Sequence, residues 1–175
     1  MKEKTCCIIG HKAIPIGRWG EFRDDMSKAL EAALDEGYNR FLCGFDDGAD
    51  MAFMEALYEH WQQREHDFYI EAILPYRFRL IASIVHRYAK PLLATCHHVY
   101  VMEEKYYRGI YKKRNKLMLQ ESSLVIAAYD GRKKGDTKAM IEMAQEAGIP
   151  TRIVPIAPVP KKPSKKTNHK TEASS

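Results

Sequence analysis

Three short stretches hold most of the residues able to do chemistry. Gly10-His11-Lys12 sets an imidazole and an amine beside a glycine. GFDDGAD, residues 44–50, crowds Asp46, Asp47 and Asp50 around Gly44, Gly48 and Ala49. DGRKKGDT, residues 130–137, interleaves Asp130, Gly131, Gly135, Asp136 and Thr137 with cations. A histidine titrates near neutral pH and serves as a general acid or base. Carboxylates accept hydrogen bonds from sugar hydroxyls, or supply the oxygen donors that a divalent cation accompanying a nucleotide would take. Glycines let a backbone approach a ligand, and a helix N-terminus offers free N–H groups to an anion. Arg114, beside Asn115, has the planar fork that suits phosphate. The acid–base candidates are His11, Asp50 and Glu55, and no recognised catalytic motif unites them.

Each of these residues has a plainer reading. Gly44 and Gly48 fit a strand-to-helix turn. Asp50 fits the first turn of a helix, where the dipole favours an acid. His11 fits a loop residue donating to a carbonyl, Thr137 an N-cap, and Glu55 a solvated acid. Lys112 and Lys113 fit a solvated helix face. Asp46 and Asp47 fit solvated turn residues. Tyr106, Tyr107 and Tyr111 either stack on a base or pack with Met118 and Leu119, and core packing is expected for at least two of them.

The elements that must position these residues are legible as apolar runs alternating with helical stripes. Residues 5–9, 41–43, 69–74, 98–102, 124–129 and 152–154 read as short buried strands, the third closed by Pro75. Helical spacing links Trp19, Phe22, Met26, Leu30 and Ala33, with Gly37 as a stop, and links Met51, Met54, Leu57 and Trp61. Further helices are expected over residues 79–88, 107–120 and 137–147. Continuous apolar strands between amphipathic helices predict an α/β protein, a three-layer Rossmann-like sandwich with a mainly parallel sheet. Ligands of such sheets bind beyond the carboxyl ends of the strands, where all three loops should lie.

Composition narrows the function classes. The 175 residues carry a net charge of +5. From Pro160 to Ser175 five lysines oppose one acid, Glu172, so +4 of that charge lies there. A body near +1 argues against a folded nucleic-acid face, so any nucleic-acid contact is expected to be weak and through the tail. The chain divides into a domain over residues 1–155 and a basic tail over 156–175, whose Pro/Ser/Thr/Lys content predicts disorder. Cys6, Cys7, Cys43 and Cys96 form no CxxC pair and read as reduced thiols. Neither a signal peptide nor a membrane span is apparent, so a cytoplasmic location is expected. GxGxxG, GxxxxGK[ST] and EF-hand patterns are absent, and the histidines and cysteines lack metal-ligand spacing. Association into a homo-oligomer is compatible with the sequence, which specifies none.

The segments CCIIGHK, GFDDGADMAFMEA, ILPY, YKKRNKLMLQESSLVIAAYDG and GDT occur in the order seen in the SLOG superfamily, which includes the LOG cytokinin-activating enzymes and the DNA-processing protein DprA. The chain resembles most the small YpsA-like branch, over residues 5–154. This resemblance implies a Rossmann-like fold with a pocket for a nucleotide derivative, built on the loops from Gly10, Gly44 and Asp130 with Arg114 and Asn115. It implies no particular reaction. Lys12 stands where members commonly carry Arg, Asp136 interrupts a usual GGT, and the PGGxGT of active LOG enzymes is missing. The resulting expectation is a binding or sensor domain for an ADP-ribose- or NAD-like ligand or a nucleoside phosphate. A hydrolase cleaving an N-glycosidic or phosphate bond of such a ligand is the alternative, and a DNA-associated protein the further one.

Overall fold

The computed structural model describes residues 3–64 and 67–156. The strands are β1 (Thr5–Gly10), β2 (Arg40–Cys43), β3 (Tyr69–Tyr76), β4 (His98–Glu103), β5 (Leu124–Tyr129) and β6 (Thr151–Pro155). The helices are α1 (Trp19–Asp35), α2 (Ala49–Gln63), α3 (Arg77–Val85), α4 (Ala89–Ala94), α5 (Ile110–Glu121) and α6 (Asp136–Glu146). All the strands are parallel, in the order β4-β3-β2-β1-β5-β6. The expected three-layer sandwich is therefore present, with a sheet that is wholly parallel.

Both faces of the sheet are covered, which is why its strands lack polar alternation. Cys6, Ile8, Phe41 and Ile126 face a core closed by Phe22, Met26 and Leu30 of α1, Phe53 and Leu57 of α2 and Leu92 of α4. Cys7, Ile9, Leu42 and Val125 face a second core closed by Met118 of α5 and Met140 and Ile141 of α6. Adjacent Cys6 and Cys7 thus enter different cores, as strand pleating requires. None of the four cysteines is in a disulfide, and burial pushes the Cys7 and Cys96 thiols up to about 12.

Two expectations change at the β3 end. Pro75 does not close β3, which continues to Tyr76. By that point β2 has already ended, its last residue Cys43 facing Ala72, so the missing N–H has only β4 as a neighbour. The single helix expected over 79–88 is two, α3 from Arg77 and α4 from Ala89, broken where His86 turns extended (ψ 127°). At the other end, Pro155 pairs with Tyr129 and the Ile156 N–H donates to the Tyr129 carbonyl at 3.0 Å. Ile156 is buried and belongs to the body, while the rest of the expected tail, 157–175, lies outside the described residues. No described helix is long and apolar enough to cross a membrane.

The loop after β1 and the loop after β2 are fastened together. The Ala49 N–H donates to the His11 carbonyl at 3.0 Å. Gly48 sits at φ 72°, ψ −113°, a region only glycine occupies comfortably. A Cβ on it would lie 2.2 Å from the Lys12 carbonyl oxygen. Gly48→Ala should therefore cost on the order of 3 kcal/mol, read as a lowered urea midpoint at unchanged slope.

Candidate functional site

Strand order reverses between β1 and β5: successive strands run outward from β1 as far as β4, then the chain returns to lay β5 on the other side of β1. The loops leaving β1 and β5 part there and open a crevice at the carboxyl edge. A cleft of about 450 Å³ occupies it. Gly10, His11 and Lys12 line one wall, Gly44, Asp46 and Asp50 the next, and Arg132, Gly135, Asp136 and Thr137 a third. Tyr111, Arg114 and Asn115 of α5 enter from the side, with Met118 and Met140 at the apolar floor. The three sequence stretches thus meet in one place.

Arg114 is the side chain to which this wall is tied. It is 5% exposed, yet every edge of its guanidinium has a partner. Nη2 donates to Asp46 Oδ2 at 2.9 Å, Nη1 to the Gly44 carbonyl at 3.1 Å, and Nε and Nη2 to Asn115 Oδ1 at 3.1 and 2.9 Å. Burial works against its charge, and Asp46 outweighs burial. Gly44 is required by this group, because a Cβ there would lie 2.7 Å from the Arg114 Cζ. Asp46 is therefore a buried counter-ion, contrary to the expectation of a solvated turn residue, and the exposed Asp47 alone fits that description. Arg79 of α3 adds a second cation 3.6 Å from Asp46 Oδ1. With its oxygens facing two guanidiniums, Asp46 does not fit a divalent cation. Among the described residues no cluster of three or more His, Cys, Asp or Glu side chains is placed to hold a metal.

Asp50 lies one helical turn away, 6% exposed, in the first turn of α2. Its Oδ2 accepts the Asp46 N–H at 3.0 Å. Burial, joined by the Asp46 charge, pushes its carboxyl up to about 7, with Arg114 and the Asp46 N–H pulling the other way. A buried carboxyl that carries a proton near neutral pH can either donate or accept.

On the opposite wall His11 Nε2 stands 3.1 Å from Asp130 Oδ1, off the line a hydrogen bond needs, so this buried nitrogen has no hydrogen-bond partner. The Thr137 hydroxyl lies 3.4 Å from His11 Nδ1. Burial lowers the imidazole's proton affinity and Asp130 opposes it. Asp130 is gripped by Arg132, whose Nε and Nη2 donate to it at 3.0 and 2.5 Å, and the pairing holds its carboxyl well below the usual range. Asp130 also accepts the Arg132 N–H at 3.0 Å, closing an Asx turn over Gly131. That turn delivers the chain to α6, whose N-cap, Gly135, has no side-chain cap. The first N–H groups of α6 are left to the cleft. Thr137 is buried within the first turn and is not the N-cap.

Other expectations change. Glu55 does not line the cleft; it pairs with Arg23 of α1 at 3.4 Å. Gly48, Ala49, Asp130 and Gly131 build the walls from behind and do not line them. Tyr106 and Tyr107 are 60% and 42% exposed, so core packing fails for two of the three tyrosines. Tyr111 lies at the cleft, its ring 5.0 Å from Lys12 Nζ and 5.2 Å from Arg114 Cζ. Arg132 and Arg79 were not singled out from the sequence. The Asp130-Gly131-Arg132 turn signal marks the former, and nothing local marks the latter.

No protein-family model and no curated protein matches the chain. Solved structures match in fold. One is TM1055, a structural-genomics target, with TM-score 0.53 and 17% identity over 85% of this chain and 72% of that one. Another is DNA processing protein A from Helicobacter pylori, with TM-score 0.61 and 14% identity over 92% of this chain and 67% of that one. That protein binds single-stranded DNA. Likeness at this identity establishes the Rossmann-like architecture.

Removing the Arg114 side chain leaves Asp46 buried beside a void. Arg114→Ala should lower stability by about 3–5 kcal/mol, measured by chemical denaturation. Asp50 has a folded-state pKa above its unfolded one, so the unfolded chain loses its proton first as pH rises. Its contribution is present at low pH and is lost as pH climbs from about 4 to about 7. Asp50→Asn should gain stability relative to the parent across that window, by on the order of 4 kcal/mol at pH 8, and show no difference in slope above it.

Proposed function

We propose that the cleft binds a phosphorylated nucleoside derivative, in a module of the SLOG kind that holds such a ligand. The observation that carries this reading is the juxtaposition, across one 450 Å³ cleft, of an uncapped helix N-terminus with Arg132 on one side and the buried Asp50 carboxyl on the other, with Lys12 at the Tyr111 edge. The volume falls in the range of about 300–1,000 Å³ usual for small-molecule sites. The α6 N–H groups and Lys12 take the phosphate, beside Arg132, whose charge is already shared with Asp130. Asp50 meets the ribose hydroxyls, away from the phosphate, which leaves Asp136 as the one carboxylate at the phosphate end of the cleft lining. His11 Nε2 and Asp46 Oδ1, both buried without a hydrogen-bond partner, are groups a bound molecule or water would satisfy. The base has the Tyr111 edge and the Met118 and Met140 floor. Arg114 shapes this site more than it binds phosphate, since Asp46 neutralises it. The motif order quoted above and the shared fold support the SLOG assignment, and the motifs favour its YpsA-like branch.

One observation favours turnover as the second reading. A carboxyl raised to about 7 within a cleft has the proton affinity of a general acid, as departure of a base from a ribosyl carbon would need. Turnover would also need a group to activate water, for which His11 on the opposite wall is the candidate, and binding, which needs neither, is the primary reading.

The test is calorimetry with AMP, ADP-ribose and 2′-deoxy-AMP, alongside native mass spectrometry of protein purified from cells. Lys12→Ala and Arg132→Ala should each weaken AMP about tenfold, the scale of one charge-assisted contact. Asp50→Asn should weaken AMP more than 2′-deoxy-AMP. Absence of nucleotide binding at millimolar concentration, together with no retained mass, would overturn the reading. Release of free base from AMP would replace it with the hydrolase.

A further inference from the structure

Many of the exposed large apolar side chains gather at one end of the sheet, away from the cleft floor. Helix α3 packs on the β3–β4 end, with Leu80 turned to the core and Ser83 buried. Its other side carries Phe78, Ile81 and Val85, at 64%, 50% and 78% exposure, and Tyr88 follows at 70%. A helix apolar on both sides is normally covered on both. The adjoining β4 is an edge strand, and Val99 and Tyr100 on it are also exposed. It carries no proline, lysine or bulge of the kind that protects a free edge.

We infer that this face is a two-fold interface between two copies of the chain, formed by antiparallel packing of α3 on α3 and flanked by β4. Within α3, Phe78, Ile81 and Val85 step by three and four, the spacing of a helix–helix seam, and Tyr88 lies beyond the end of the helix. In an antiparallel pair crossing at the middle of α3, Phe78 meets Val85 of the second copy and Ile81 meets its own counterpart. Apolar then faces apolar along the seam, so the stripe is complementary to itself, as an isologous interface demands. The exposed area of these side chains with Ile84, Tyr88 and Val99 is on the order of 700 Å², close to what each partner contributes to a stable interface of standard size. Arg77, next to Phe78, is already neutralised by Glu104 at 2.7 Å, which removes a like-charge obstacle. Inward-facing Arg79 joins the same helix to Asp46, so the interface braces one wall of the cleft.

Light scattering and sedimentation of the full chain test this without reference to any ligand. The 20.2 kDa chain should form a dimer of about 40 kDa at tens of micromolar. Ile81→Glu and Val85→Glu should each raise the dimer dissociation constant at least about a hundredfold, with an unchanged circular dichroism spectrum. Ile16→Glu, at a 94% exposed apolar residue outside the patch, should leave the dimer intact. Should Ile81→Glu fail to fold, Val85 is exposed enough to carry the test. A chain monomeric throughout, or an oligomer indifferent to both substitutions, would overturn the proposal, and in the first case the face belongs to a different partner.

Discussion

Arg114 brings a permanent charge into a place with almost no solvent, and the geometry around it follows from meeting that charge. A buried guanidinium must find an acceptor for each edge or the fold loses several kcal/mol. Asp46, the Gly44 carbonyl and Asn115 supply them. Because Asp46 and Gly44 precede α2 while Arg114 lies on α5, the pair spans the sheet and pins helices from opposite layers. The same charge partly offsets what burial and Asp46 do to Asp50. One ion pair therefore fixes the shape of a wall and sets the proton affinity of the acid beside it. Such pairs specify arrangement more than they add stability, and here the arrangement is the cleft.

The topology supplies the crevice and the loops furnish it. Reversal of strand order at β1 and β5 separates the neighbouring loops, so space opens there without any special residue. The chemistry is then divided by wall. Open N–H donors stand at the start of α6 with Asp136 and the Asp130–Arg132 pair, and the buried carboxyls Asp46 and Asp50 stand before and at the start of α2 with Arg114.

Much of this was legible in the residues. Unbroken apolar runs such as Leu124–Tyr129 announce strands covered on both faces, and every strand and nearly every helix fell where the pattern put it. The loops at Gly10, Gly44 and Asp130 were recognisable because glycine between a strand and a helix has few other uses. What stayed hidden depends on pairs far apart in sequence. Asp46 reads as a turn acid until Arg114, 68 residues on, arrives beside it. Gly44 reads as a turn glycine until the guanidinium fills the space above it. Tyr106 and Tyr107 read as core because aromatic residues near a helical stripe usually are, yet they precede α5 and stay outside. The break between α3 and α4 leaves no mark in composition, since neither glycine nor a helix-ending proline falls at His86.

The hydrogen bond from the Ala49 N–H to the His11 carbonyl has a consequence for variation. It joins two loops through main-chain atoms, which any residue but proline supplies at position 49 and every residue supplies at position 11. Side chains at His11, Lys12 and Asp47 can be exchanged without loosening it. The cleft can thus acquire a different ligand preference by point substitution while its frame holds still, and the residues least free to drift are the ones with no side chain to speak of.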